Sequence, residues 1–259
     1  MEAVFEIKPI GAQEINVLVY FYYLLQENRK RAGNQIRDLA KAGQSIDYLN
    51  SVYKRLVNLE NDIKKTLTRW VDQNGGQLAE WCLSIIGIGP VITAGLMTLI
   101  DIEKAPTVGH IWRFAGLDPT AKWEKGQKRP HNAELKTLCW KIGESFVKTL
   151  NKEGNLYGRL YLERKELETA KNDKLLFAEQ AAEQLKRKNF KKTTIAYKNY
   201  ITGKLPPGHI HARAKRYAVK IFLSHYHHVA YEIRFGEKPP KPFVIEHLGH
   251  VDYIPAPNW

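Results

Sequence analysis

Residues 77–100 read QLAEWCLSIIGIGPVITAGLMTLI, and the word IGIGP at 86–90 divides the stretch into two apolar helices. Glycine tolerates positive φ, so Gly87 and Gly89 are expected to carry a tight turn. Pro90 presets the first turn of the second helix, where its missing N–H costs nothing. Ile86 and Ile88 alternate with the glycines as apolar anchors. This is the spacing of a helix-hairpin-helix motif, in which bare backbone lets a phosphate approach and the N–H groups opening the second helix meet it. The predicted contacts run through the backbone of Gly87, Ile88, Gly89 and Val91, and no base is read. A plain corner between packed helices has the same residues; the strongly basic region downstream favours phosphate.

Downstream, residues 101–119 read as a connector and a helix ending at Gly116, with Trp112, Phe114 and Leu117 as expected core. A basic loop follows, holding Lys122, Lys125, Lys128, Arg129 and His131, with Trp123 available to stack. The next helix, from about Ala133 to Leu150, is apolar at Leu135, Leu138, Cys139, Ile142, Phe146 and Leu150 and carries Lys136. One long charged helix is expected from Leu156 to about Leu185, closed by the run Lys186, Arg187, Lys188, Lys191 and Lys192. The last helix starts after Pro206-Pro207-Gly208 and runs to about Phe235. At 100° per residue, Arg213, Arg216, Lys220, His227 and Arg234 form a basic stripe. Ala214, Tyr217, Ala218, Ile221 and Phe222 form the opposite apolar seat. No acidic residue occurs between Gly208 and Ala230, which favours a helix tracking a polyanion. His225 and His228 are one turn apart, but they fall on the apolar side with neither Cys nor carboxylate beside them, so core histidines are expected and no metal or cofactor.

Upstream, apolar steps of three and four mark two long helices joined at Gly43: Ile15, Leu18, Tyr22, Leu25, Ile36 and Leu39, then Ile46, Leu49, Tyr53, Leu56, Leu59, Ile63, Leu67 and Trp70. Ser45 offers an N-cap to the second. The pair forms either an antiparallel hairpin or a dimeric coiled coil. Beyond Phe235 the prolines forbid a helix, and an extended arm is expected to lie on the body or on a partner.

The charge is localised. The 259 residues carry 40 Lys+Arg against 27 Asp+Glu, net +13, and residues 120–220 alone hold 24 basic and 10 acidic residues, net +14, so the remainder is −1. Such a surplus points to a polyanionic partner. Apolar content of 44% excludes disorder. Cys82 and Cys139 form no CxxC pair, which fits a reduced compartment and free core thiols. The N-terminus lacks a signal peptide's apolar region and no window approaches a membrane span, so a cytoplasmic protein with no membrane partner, associated with the nucleoid or with mobile-element or viral DNA, is expected.

Several words resemble one family: the insertion-sequence transposases that join an N-terminal RuvC-like acidic domain to a C-terminal serine-bearing domain, some guided by a bridge RNA. SIIGIGPVITAGLMTLIDI resembles its hairpin segment, RFAGLDP the motif after it, and KRPHNAELKTLCW the basic helix start. The two N-terminal helices stand where that family has its coiled coil, and YGRLYLERKEL and HIHARAKRYAVKIFLSHYHHV resemble its closing helices. The resemblance spans most of residues 20–235. It implies an all-α chain: a two-helix, coiled-coil-like stalk (1–75), a helix-hairpin-helix domain (76–235) and an extended Pro-rich C-terminal arm (236–259).

In that family the RuvC-like domain precedes the stalk, where about ten residues stand here, so its acidic tetrad is expected to be missing. The family's nucleophilic serine lies between the AGL-P motif and the basic helix; no serine occurs between Ser84 and Ser145, and Thr120 is the Ser/Thr hydroxyl in that loop, with no base expected near it. The resulting expectation is a DNA-binding protein, DNA rather than RNA, that dimerises through its N-terminal helices and has no catalysis of its own. Its contacts are Gly87, Ile88, Gly89, Val91, Lys122, Lys125, Lys128, Arg129, Lys136, Arg213, Arg216 and Lys220. A subunit acting with a separate catalytic chain, an RNA-binding scaffold and a helical adaptor remain alternatives.

Overall fold

The computed structural model describes residues 10–121, 123–124, 126–240 and 254–259, and these are all-α, with no strand among them. Helix α1 (Ala12–Lys41) and helix α2 (Asp47–Asn74) run antiparallel, joined through Gly43 at φ +71°. Near the base, Ile15 and Val19 of α1 meet Leu67 and Val71 of α2. Farther out, Arg29 Nε donates to Glu60 Oε2 at 2.5 Å. Beyond these positions the two helices bury no apolar side chain, and Leu39, Leu49 and Leu59 are exposed. The N-cap of α2 is Ile46, not Ser45; the Ser45 hydroxyl donates instead to the Asp47 carboxylate at 3.2 Å.

The base of this pair is wedged against helix α3 (Gly76–Ser84) and helix α4 (Pro90–Leu99). After a single 3-10 turn at Ile102–Lys104 comes helix α5 (Val108–Phe114). Here the inward residues are Val108 and Ile111; Trp112 and Leu117 are half-buried, and Phe114 is 43% exposed. The short helix turns its apolar face one residue away from the expected one.

Helix α6 (Ala133–Lys148) starts on Asn132, whose side chain accepts from Leu135 N at 2.8 Å. It buries Leu135, Leu138, Cys139, Ile142 and Phe146, as its spacing predicts. Asn155 caps helix α7 (Leu156–Asp173) and also donates to the carbonyls of Phe146 and Thr149, tying the end of α6 to the start of α7. The expected long helix is broken. Leu175 takes φ +57°, and the chain restarts as helix α8 (Ala178–Arg187) and helix α9 (Ile195–Tyr200), which pack with Leu205 and Ile210 in a small separate cluster.

Helix α10 (Pro207–Phe235) is the spine of the main core and ends on Gly236 at φ +72°. Phe222 stacks on Trp81 at 5.9 Å and meets Phe146 and Tyr157 edge-on. Tyr217 and Ile221, expected on the seat, are only half-buried, because the seat is centred on Ala214, Ala218 and Phe222. Residues 254–259 lie on the body. Trp81 Nε1 donates to Pro257 O at 2.8 Å, and Trp259 Nε1 donates to Glu232 at 2.9 Å. Both cysteines are buried in the core, where burial pushes the Cys139 thiol up to about 12.

Candidate nucleic-acid interface

The turn between α3 and α4 is anchored by Ile85 and Ile88, both buried. Gly87 takes φ +95°, and a Cβ there would lie 3.1 Å from Thr149 Oγ1 and 3.2 Å from Phe146 Cδ1. Its carbonyl accepts from Ser145 Oγ at 2.5 Å. Gly87 therefore fixes the turn against the end of α6. Gly89 does not use positive φ: at φ −122° and ψ 177° it is extended backbone, and a Cβ there would meet nothing within 4 Å. It is the N-cap of α4 and offers no side-chain acceptor to the first-turn amides of Val91 and Ile92, which a helix leaves without intrahelical partners. Ile88 and Val91, both predicted contacts, are buried as whole residues at 6% and 7% exposure, so the exposed part of the turn is Gly87, Gly89 and Pro90.

Gly87, Gly89 and Pro90 are partly exposed and form one wall of a groove of about 430 Å³ between α1, α2 and α6. Lysines ring it. Lys30 and Lys141 both hold Glu27, at 3.1 and 3.0 Å, and these hydrogen bonds, Lys141 first, bring the Glu27 carboxyl down to about 2. Glu144, which also lines the groove, is held from outside the lining by Lys215 of α10, which lowers its proton affinity. Lys64, Lys148 and Lys152 make no ion pair among the described residues.

Trp140 on α6 stands at the edge of this groove and is 54% exposed. It also borders a smaller cavity of about 180 Å³ that holds the predicted contacts Lys136 and Arg216, and an apolar one of about 490 Å³ with Tyr20 and Leu24. Trp140, Lys64, Lys148 and Lys152 lie outside the basic loop and the α10 stripe that the sequence marks out. One signal was available: Trp140 falls off the apolar stripe of its own helix, where a large aromatic side chain has no packing reason to stand.

The other predicted contacts divide. Lys122 and Lys125 lie outside the described residues. Lys128 and Arg129 are on the loop, with the Arg129 guanidinium 5.7 Å from the exposed Trp123 ring. Arg216 is exposed, and Lys220 is half-buried with its amine 4.1 Å from the Trp112 ring, where burial lowers its proton affinity. The stripe on α10 is not one free ridge. Arg213 Nε donates to Glu168 at 2.6 Å and its guanidinium sits 4.5 Å from the Phe177 ring. Arg234 pairs with Glu103, and His227 is buried with Nε2 2.8 Å from Ala105 O. The acids that hold these cations come from other helices, so the lack of acid within α10 does not leave its cations free.

Of the described histidines, His225 and His227 are buried in hydrogen-bonded sites. His225 is buried, with Nδ1 2.7 Å from Tyr157 Oη and Nε2 2.8 Å from Ile254 O, and burial takes its pKa down to about 4. His228 does have a carboxylate beside it, Glu232 at 3.2 Å. Among the described residues no three His, Cys, Asp or Glu side chains gather as they would around a metal ion. Thr120 also has a carboxylate at hand: its hydroxyl donates to Asp118 Oδ1 at 2.7 Å and its N–H to the same oxygen at 2.8 Å. These bonds lower the proton affinity of Asp118, making it a turn cap and a poor proton acceptor. No described helix is long and apolar enough to cross a membrane. Comparison with known proteins finds no matching family model, no matching curated protein and no matching solved structure.

Proposed function

We propose that the chain is a DNA-binding protein, similar to the C-terminal module of an insertion-sequence transposase, that holds the sugar-phosphate backbone in the groove at the α3–α4 turn and has no catalysis of its own. The turn acts as a helix-hairpin-helix: the amides of Gly89 and Val91 meet one phosphate while the surrounding lysines meet its neighbours. One observation carries this reading. Lys64, Lys148 and Lys152, without ion-pair partners among the described residues, face the open Gly89–Pro90 edge across a single groove. Each phosphate they neutralise releases condensed counterion, which makes binding steeply salt-dependent.

The distal parts of α1 and α2 act as a coiled-coil-like stalk that pairs with a second copy. Leu49, Val52, Leu56, Leu59 and Ile63 fall at steps of three and four, and three of them are exposed in the single chain. Sedimentation of the intact protein tests this. A dimer is expected, becoming a monomer in Val52→Glu with Leu59→Glu; a wild-type monomer overturns it.

The test of function is retention of duplex DNA and of folded RNA of equal length at two salt concentrations. Duplex binding that falls steeply with salt, without cleavage in Mg2+, is expected. No binding of either polymer at low salt overturns the proposal, and tighter binding of RNA transfers it to an RNA scaffold.

A further inference from the structure

The chain has six tryptophans, and five of them donate their indole N–H to the protein. Trp70 reaches Ile10 O, Trp81 Pro257 O, Trp112 Lys220 O, Trp123 Gln127 O and Trp259 Glu232. Trp140 makes no such bond among the described residues and is 54% exposed. Water can satisfy the N–H, and the exposed part of the ring is open to a ligand.

Its surroundings narrow the ligand. Lys141 and Lys215 Nζ lie 5.4 and 5.6 Å from the ring, within cation–π range, and both amines are themselves held by carboxylates, Glu27 and Glu144. Both cations are thus held close to the ring. On one side is the lysine groove assigned to phosphates; on the other is the apolar cavity of about 490 Å³, where Asn16 donates to Glu134 at 2.7 Å. A cationic channel for backbone, a free indole at its lip and an apolar recess with a donor and an acceptor at its rim match the parts of an unpaired nucleotide: phosphate, base face and base edge.

Resting on the DNA-binding reading above, we propose that Trp140 is a stacking platform for an unpaired nucleobase, so that the protein selects DNA with an extrahelical or single-stranded nucleotide over an uninterrupted duplex. In a continuous duplex every base is already stacked and paired, and extruding one is costly. A base that is already unpaired avoids that cost and gains the contact with the indole.

The experiment uses the full chain and two short duplexes that differ only in whether a central 2-aminopurine is paired or extrahelical. The extrahelical duplex is expected to bind about tenfold tighter, from the usual range for base–aromatic stacking, with 2-aminopurine fluorescence quenched on binding. Trp140→Ala should lose both the preference, read as the ratio of affinities for the two duplexes, and the quenching, and Trp140→Phe should keep most of the preference. Because the side chain is mostly exposed, Trp140→Ala is expected to fold. Equal affinity for the two duplexes, or a preference that survives in Trp140→Ala, overturns the inference and leaves the backbone-binding reading standing. Failure to bind either duplex overturns both.

Discussion

Two regions of this molecule carry clustered positive charge, and they differ in what surrounds it. On α10 the cations share one helix and look like a ridge, yet Arg213, Lys215 and Arg234 are drawn to Glu168, Glu144 and Glu103. In the groove at the α3–α4 turn, Lys64 comes from α2, Lys148 from the end of α6 and Lys152 from the turn beyond it, and no described carboxylate holds any of them. Density of charge along a helix says little about its availability. Availability depends on which acids the fold brings near.

The largest expected effect separates the two regions directly. Each neutralised phosphate contributes about 0.9 to the log–log salt slope. Replacing Lys64, Lys148 and Lys152 with Ala should therefore flatten the slope by roughly 2.7 and weaken duplex binding at about 0.1 M salt by on the order of a few hundredfold. Arg213→Ala with Arg234→Ala should leave the slope unchanged. A retention assay across a salt series measures both, and a slope lost in the α10 variant instead would reverse the assignment.

A pH series extends the contrast. His225 on α10 is neutral in the fold, with a pKa near 4 against 6.5 when exposed. Between those values the unfolded chain binds a proton that the folded chain does not, so the stability present above pH 6.5 falls as the pH drops towards 4. This lowering corresponds to about 3 kcal/mol by pH 4. Urea unfolding should show a smaller loss in His225→Gln than in the wild type, because His209, His211 and His227, also lowered by burial, remain. DNA affinity of the folded protein should not follow it, because His225 is buried in the core and does not line the groove.

Arg213→Ala alone should act on stability. It leaves Glu168, whose side chain is 1% exposed, with Arg164 as its remaining cation. A loss of about 2 kcal/mol is expected, below the range for stranding a buried charge completely. For a chain of this size that lowers the melting temperature by roughly 4–8 °C. An unchanged melting temperature would mean that Arg213 is free after all, and would return the ridge to the interface.

The sequence was legible where structure is set locally and opaque where it is set at a distance. Gly87, Pro90 and Gly236 specify their turns and helix ends by their own backbone chemistry, so α3, α4, α6 and α10 fall close to where their residues place them. The break after α7 rests on Leu175 at φ +57°, a residue with no preference for that conformation, and nothing in its neighbours announces it. The fate of the α10 cations was equally hidden, since their partners lie 45, 71 and 131 residues away in sequence. A helical wheel sees one helix. The groove itself, assembled from α1, α2, α4 and α6, has no signature in any single stretch, although the Trp140 position off its apolar stripe was a readable sign.

The smallest effect bears on what the turn contributes beyond its lysines. Gly87 and Gly89 look equivalent in sequence, and the fold makes them different. A side chain on Gly87 would adopt strained backbone and press on Thr149 and Phe146, so any loss of binding there is confounded by misfolding. Gly89 is extended and faces open space, so Gly89→Ser should fold normally. A serine at this N-cap accepts from the amides of the first turn of α4, which stabilises the helix by a few tenths of a kcal/mol relative to glycine. The same hydroxyl occupies amides that would otherwise meet phosphate, and a charge-assisted hydrogen bond lost there weakens DNA binding by about tenfold. Stability and affinity should thus move in opposite directions in one variant, read by urea unfolding and duplex titration. Affinity that stays level in the better-capped protein would assign the interface to the lysines alone and leave the α4 amides to solvent.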